Sequence, residues 1–186
     1  MDEEVTGMFE MGEETMALPL EEKMKFEQGD EGMSFGYAAF CKIVFGKNSI
    51  YTCRYKAAGT HAVDATGKKD LPEFINVAKD DALAWPKIAR REYPAPTNRR
   101  MESTIIPFHR ESMEINYVLL DVFNERLGLP PGKLREKHRV DEFSGSESRV
   151  IKVPPTLPTK EPVVAIGGHR DLGTLAGFLA THLSSS

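Results

Sequence analysis

The sequence predicts an α+β protein, in which helices come first and an antiparallel sheet begins late in the chain. Two observations predict this order. Apolar residues recur every three or four positions over residues 108–127, which is typical of an amphipathic helix. After Phe143 the chain changes to short apolar runs separated by turn residues, at 148–153, 163–166 and 173–179, which is typical of strands.

The N-terminal part is predicted to be largely helical. Residues 3–26 carry apolar side chains at helical spacing. Leu18-Pro19 should divide this segment into two helices, because a proline inside a helix loses a hydrogen bond and clashes with the preceding turn. Residues 38–53 differ, since two compact apolar runs joined by a Gly-Lys-Asn-Ser turn predict a β-hairpin. Both cysteines, Cys41 and Cys53, lie in that segment and are expected to be free thiols.

The middle of the chain is predicted to contain loops and short elements before the long helix. Residues 56–69 are polar and contain glycine, so we expect a loop, and residues 70–74 should form a short turn or strand. Prolines 94, 96 and 107 should keep the following region from being one long helix. The long helix should end at Gly128, where a left-handed C-cap belongs, and residues 134–138 should add another helical turn.

Length and composition indicate a globular protein. A chain of 186 residues with 40% hydrophobic and 28% charged side chains suits one domain, or one and a half. No apolar run is long enough to span a bilayer, and the acidic start does not resemble a signal peptide, so we expect a cytoplasmic protein without a membrane partner. Residues 1–32 carry 11 acidic and 2 basic side chains, a balance that disfavours binding to nucleic acid.

The candidate functional residues are His169 and Asp171, within a Gly-His-Arg-Asp sequence. Residues two apart on a strand project from the same face, so the imidazole and the carboxylate would lie side by side. These groups are two thirds of the facial triad that holds non-haem Fe(II). The alternative interpretation is a surface histidine beside an aspartate that caps the end of a strand.

The remaining histidines are not assigned to a metal site. His61, His109 and His138 lack an acidic residue at ligand spacing and are expected to be solvated or partly packed. His182 follows Asp171 by 11 residues in a serine-rich tail and is not taken as the third ligand. No residue is assigned as catalytic or as a ligand of a co-substrate.

Several stretches together resemble the Fe(II)- and 2-oxoglutarate-dependent oxygenases of the isopenicillin N synthase-like superfamily, especially the fungal members. Outside residues 38–54 the resemblance extends over most of the chain. The matching stretches are ALPLEEKM (17–24), YKAAG (55–59), FINVAKDD (74–81), NERLGLPPG (124–132) and GHRDLGTL (168–175).

The resemblance implies a domain organisation and an activity. Residues 1–106 would form the N-terminal domain of a non-haem dioxygenase with an atypical insert at 38–54, and residues 107–140 would form helices that brace the barrel. Residues 141–186 would begin a double-stranded β-helix, or jelly roll. His169 and Asp171 would hold iron with a distal histidine. Family members use Fe(II), and usually 2-oxoglutarate, to oxidise a small-molecule metabolite.

The chain also departs from the family pattern. Ile151 and Val153 stand where many relatives have the Asn and Tyr that hold the co-substrate, and no arginine follows Arg170. The distal histidine and the Arg-x-Ser that binds 2-oxoglutarate would lie beyond residue 186. We therefore expect a truncated member of the family that is inactive or nearly so by itself. The insert, between the repeated tyrosines Tyr37 and Tyr55, suggests a translated intron or an altered gene model.

Two further expectations remain open. The alternative to an oxygenase is a non-enzymatic helical module, in which residues 1–140 bind a protein partner, or a gene-model fragment. An incomplete sheet at 148–153, 163–169 and 173–180 would also expose unpaired edges. Such edges favour self-association and low solubility.

Overall fold

The structure is a computed structural model that describes residues 2–27, 55–59, 63, 65–89, 91–155, 165 and 173–179. The described residues form a mixed fold of helices and a three-stranded antiparallel sheet. The helices are α1 (Asp2–Met16), α2 (Leu20–Met24), α3 (Lys79–Ala84), α4 (Ala95–Arg99), a π-helical turn (Met101–Ile105), α5 (Ile106–Arg126) and a 3-10 turn (Arg135–Lys137). The strands are β1 (Tyr55–Lys56), β2 (Glu73–Ala78) and β3 (Glu147–Lys152).

The sheet has the order β1-β2-β3, and both pairings are antiparallel. Ile75 lies opposite Tyr55 on one side and Val150 on the other. This arrangement confirms the α+β class and the strand predicted at 148–153. The sheet begins earlier than expected, however, because two of its strands precede the long helix α5. The central strand β2 is nearly continuously buried, so it lacks the alternation that marks a strand with one solvent-facing side.

The helices cover one face of the sheet and form the core with it. Met8 and Met11 of α1 pack with Ile75 of β2 and with Met101 and Ile105 of the π turn. Alpha1 approaches the sheet closely at Gly12. A Cβ atom added at Gly12 would lie 2.2 Å from Cγ1 of Val150, so a glycine is required where this helix crosses β3.

The short helix α2 is joined to the sheet by polar contacts. Lys23 Nζ donates to Glu73 Oε2 at 2.8 Å, and the Tyr55 hydroxyl donates to the same oxygen at 2.8 Å. Burial alone would raise the pKa of the Glu73 carboxyl, but these two hydrogen bonds and the Lys23 charge hold the pKa below its usual range. Glu73 is therefore an ionised anchor for α2.

Two predicted helix boundaries are confirmed. Alpha1 ends at Met16 and α2 begins at Leu20, with Pro19 as its N-cap residue. Alpha5 ends at Arg126, and Gly128 has a φ of 63°, the left-handed conformation expected of a C-cap. The Asn124 side chain completes this end, since its Nδ2 donates to Leu129 O and Pro130 O at 3.1 and 2.9 Å.

The prolines before the long helix break the helical path less than expected. Alpha4, the π turn and α5 follow one another directly, and Pro107 lies in the first turn of α5. A proline is tolerated there because the first N–H groups of a helix have no partner within it.

Other predictions fall outside the described residues or are corrected. The hairpin at 38–53, both cysteines and His61 lie outside the described residues, as do His182 and all of 163–169 except Ala165. The strand predicted at 173–180 is wrong for residues 173–179, which form no strand. Phe178 is 87% exposed, so its ring is not packed as it would be on the core face of a strand. No helix in the described residues is both long enough and apolar enough to cross a membrane.

Candidate functional site

The predicted ligands His169 and Asp171 lie outside the described residues, but residues on both sides of them make defined contacts. Ala165, four residues before His169, accepts a hydrogen bond through its carbonyl oxygen from Leu71 N at 3.2 Å. Thr174, three residues after Asp171, lies with its Oγ1 2.9 Å from His138 Nε2. The chain on either side of the pair therefore contacts the folded part of the protein, beside β2 and after the 3-10 turn.

His138 has hydrogen-bonding partners for both ring nitrogens. Nδ1 lies 2.7 Å from Leu134 O and Nε2 lies 2.9 Å from Thr174 Oγ1. These contacts join the end of the helical segment to the C-terminal residues. Among the residues that the structure describes, no group of three or more His, Cys, Asp and Glu side chains is arranged to hold a metal ion.

The face of the sheet that points away from the helices carries a second candidate site, which we name the polar sheet face. It consists of Lys56, Phe74, Asn76, Glu147 and Arg149. Direct cross-strand pairing brings these side chains together, since residues opposite each other in an antiparallel pair share a face. The sequence analysis did not identify this site. An asparagine inside the apolar run of residues 74–78 was the signal that could have found it.

Arg149 is the centre of the polar sheet face. Its Nε donates to Asn76 Oδ1 at 2.7 Å, its Nη2 donates to Glu147 Oε1 at 3.0 Å, and its guanidinium carbon lies 4.3 Å from the centre of the Phe74 ring. Burial raises the pKa of the Glu147 carboxyl, and the charges of Arg149 and Arg91 only partly offset this effect. The guanidinium is thus held in a fixed plane across β2 and β3.

Lys56 supplies a second cation to the same face. Its side chain is almost completely buried, and its Nζ donates to a carboxylate oxygen of Asp70 and, at 2.7 Å, to Pro72 O. The Nζ lies 5.8 Å from the centre of the Phe74 ring. Lys56 and Asp70 therefore form a buried ion pair that connects β1 to the chain before β2.

The side-chain amide of Asn76 is only partly satisfied. The residue is fully buried, its Oδ1 accepts from Arg149, and its Nδ2 has no acceptor among the described residues. A buried amide without a partner is costly, and it can be satisfied by a carbonyl or carboxylate oxygen of a ligand. Ile151 and Val153 extend this side of β3 with partly exposed apolar side chains. The face therefore combines a buried amide with an apolar edge.

On the helical side of the sheet, His109 is a core residue. Its Nε2 lies 3.1 Å from Ser148 Oγ, and it also forms a hydrogen bond with the backbone of Val77. Burial, reinforced by the charge of Lys79, lowers the pKa of His109 to about 4. The imidazole is therefore neutral at physiological pH and acts as a buried polar link between α5 and the sheet.

A cleft of about 590 Å³ lies between α3, α5 and the loop at 140–143. Leu83, Met113, Tyr117 and Phe143 are among the apolar residues that line it. The loop is held in place by Lys79, whose Nζ donates to Val140 O and Glu142 O at 2.9 and 2.6 Å.

Comparisons with known proteins do not assign this fold or its sites. The function must therefore be inferred from the residues and contacts of the chain itself. No family model, curated protein or solved structure matches the chain.

Proposed function

We propose that this chain belongs to the Fe(II)- and 2-oxoglutarate-dependent oxygenases of the isopenicillin N synthase-like superfamily and binds Fe(II) through His169 and Asp171. In this proposal β3 (Glu147–Lys152) lies in the part of the chain that begins a jelly roll, and α5 is the helix that braces it. The observation that carries the proposal is that Ala165 and Thr174, on either side of the predicted ligands, both contact the folded part of the chain. A free tail would make no such contacts.

The donor types fit the metal. A neutral imidazole and a carboxylate are ligands that Fe(II) accepts, and together they leave coordination positions open. Bound Fe(II) would supply the activation of dioxygen, which no protein side chain can perform. The sequence assigns no third ligand, so two protein ligands would bind the ion weakly and allow it to exchange.

The described residues supply little for holding 2-oxoglutarate. Ile151 and Val153 are apolar and cannot donate hydrogen bonds to a carboxylate. On the same side of the sheet, Asn76 Nδ2 has no acceptor within the described part of the chain but is fully buried, whereas Arg149 is already engaged by Glu147 and Asn76. We therefore propose that residues 1–186 by themselves consume 2-oxoglutarate slowly or not at all, although the family oxidises small-molecule metabolites.

Metal titration tests the proposed ligands. Mn(II), a redox-stable substitute for Fe(II), would be added to the full chain, and the free ion would be followed by electron paramagnetic resonance. We expect one weak site that is lost in His169→Ala and in Asp171→Ala. The matched control is His61→Ala, which removes an imidazole outside the pair and should leave binding unchanged. Absence of a site, or a site unaffected by both ligand variants, would contradict the proposal.

A second assay measures CO₂ released from 2-oxoglutarate in the presence of Fe(II). We expect no release above that of the His169→Ala variant. Robust release that this substitution abolishes would show that the chain is an active enzyme and would overturn the proposed inactivity.

A non-enzymatic interaction module is the second candidate. It is favoured by the exposed apolar side chains of α5. It would bind neither the metal nor 2-oxoglutarate.

A further inference from the structure

The long helix α5 has a second apolar side that points away from the core. Its fully buried positions are His109, Leu120 and Asn124, which pack toward the sheet and the chain after the helix. Four apolar residues, which we name the outer stripe, lie on the opposite side at 42–62% exposure: Ile115, Val118, Leu119 and Val122. At 100° per residue, the middle of this stripe is about 160–200° from the middle of the buried side. Large apolar residues that are scattered singly need no partner, but a continuous stripe of them marks an interaction surface.

The outer stripe is symmetric along the helix. Ile115 precedes Val118 by three residues, and Leu119 precedes Val122 by three residues. The spacing of the apolar positions is therefore the same in both directions from the point between Val118 and Leu119. If a second α5 is laid antiparallel on the first about that point, Ile115 faces Val122 and Val118 faces Leu119. Such self-complementarity is what a two-fold symmetric dimer requires.

The charges at the two ends of the stripe agree with the same arrangement. Glu111 lies four residues before Ile115, and Arg126 lies four residues after Val122. In the antiparallel register each Glu111 faces an Arg126 of the other copy, so charges of opposite sign meet at both ends of the stripe. A parallel arrangement would instead bring Glu111 to Glu111 and Arg126 to Arg126, which is repulsive.

We propose that a second copy of this chain covers the outer stripe, and that two α5 helices pack antiparallel about a two-fold axis between Val118 and Leu119. Phe123 flanks the stripe at 45% exposure and extends the apolar area. Two-helix contacts of this size bury on the order of 1,000 Å² in total, the low end for a specific interface. The dimer should therefore be weak and depend on protein concentration.

Charge reversal tests both the partner and the register. Sedimentation velocity of the full chain over a range of concentrations should show a monomer–dimer equilibrium. Glu111→Lys and Arg126→Glu should each raise the dimer Kd about tenfold or more, because each places like charges opposite each other twice. The double variant Glu111→Lys/Arg126→Glu should return the Kd to within about threefold of the original value, because the pairs reform with reversed signs. Glu102→Lys, on the π turn, is a control with the same charge change and should have no effect.

Every other outcome of these experiments overturns the proposal. A monomer at all concentrations excludes a second copy as the partner. A dimer that both single reversals leave intact forms elsewhere, for example at a sheet edge. Weakening without recovery in the double variant excludes the antiparallel register. Leu119→Glu adds a further check, since its side chain is exposed in the monomer. If this variant lowers the unfolding midpoint of a monomeric sample, a segment of the same chain covers the stripe instead.

Discussion

The buried imidazole of His109 makes the stability of this fold depend on pH. His109 lies between α5 and the sheet, where Lys79, Asp80 and Ser148 are its charged or polar side-chain neighbours. Burial first, and the Lys79 charge second, lower its pKa from 6.5 to about 4, while Asp80 acts in the opposite direction. The folded protein therefore keeps this ring neutral under conditions in which the unfolded chain protonates it.

The sign and size of the effect follow from proton linkage. Between pH 6.5 and pH 4 the unfolded state binds one more proton at this position than the folded state, so stability is lost as the pH falls through that window. One pKa unit is worth about 1.4 kcal/mol, so the loss due to His109 approaches about 3 kcal/mol at pH 4. Above pH 6.5 both states are neutral and the contribution vanishes.

Urea unfolding of the original chain and of His109→Gln, from about pH 4 to pH 7.5, measures this contribution. Glutamine does not titrate and can still form a hydrogen bond with Ser148. The difference in unfolding free energy between the two proteins should therefore change by about 3 kcal/mol across the window, with the variant less sensitive to acid. Both proteins contain the same carboxyl groups, so this comparison cancels their contribution to the pH dependence. Glu73 is one of them, since its pKa is lowered in the folded state and protonating it in acid also removes stability.

Parallel pH profiles for the original chain and His109→Gln would refute the linkage. If His109→Gln does not fold, the same quantity can be measured in the original chain by NMR. The His109 ring signals should then remain those of a neutral imidazole above about pH 5, and a titration near pH 6.5 would contradict the reasoning.

Two further predictions concern packing and charge in the sheet. Gly12→Ala should lower stability by about 1–3 kcal/mol, although alanine favours a helix, because its Cβ would meet Val150 Cγ1 at 2.2 Å. Urea unfolding of Gly12→Ala, Val150→Ala and the double variant should show that the double variant loses less than the sum of the two, and strict additivity would contradict the clash. Lys56→Met should cost about 3–5 kcal/mol, because it leaves the Asp70 carboxylate buried without its cation. Lys56→Met/Asp70→Asn should be more stable than Lys56→Met in the same assay, and equal or lower stability would count against a buried ion pair.

Local sequence signals were sufficient to predict those structural features whose cause is itself local. Pro19 divides the N-terminal helices, and Gly128 ends α5, because both effects arise from the backbone of the residue itself. The strand at Glu147–Lys152 was also predictable, from the change to short runs separated by turns after Phe143. The strand predicted at 173–180 fails in its described part, because a strand requires a partner, and the sequence does not report whether one is present.

The candidate sites divide in the same way. His169 and Asp171 could be proposed from sequence, because their spacing has meaning on a single strand. The polar sheet face could not be predicted, because its members come from three strands separated by up to 93 positions in the chain, from Lys56 to Arg149. Only the pairing register brings Asn76 against Arg149.

The sequence by itself determined the α+β class and the division of the N-terminal helices at Pro19, and it is the basis of the proposal that His169 and Asp171 bind a metal ion. These properties depend on backbone conformation and side-chain chemistry that each residue carries with it. The tertiary structure decided that β2 is the central strand, that His109 is neutral and buried, and that α5 has an outer apolar side opposite its core side. Those properties depend on which distant residues exclude water from one another, and no local pattern contains that information.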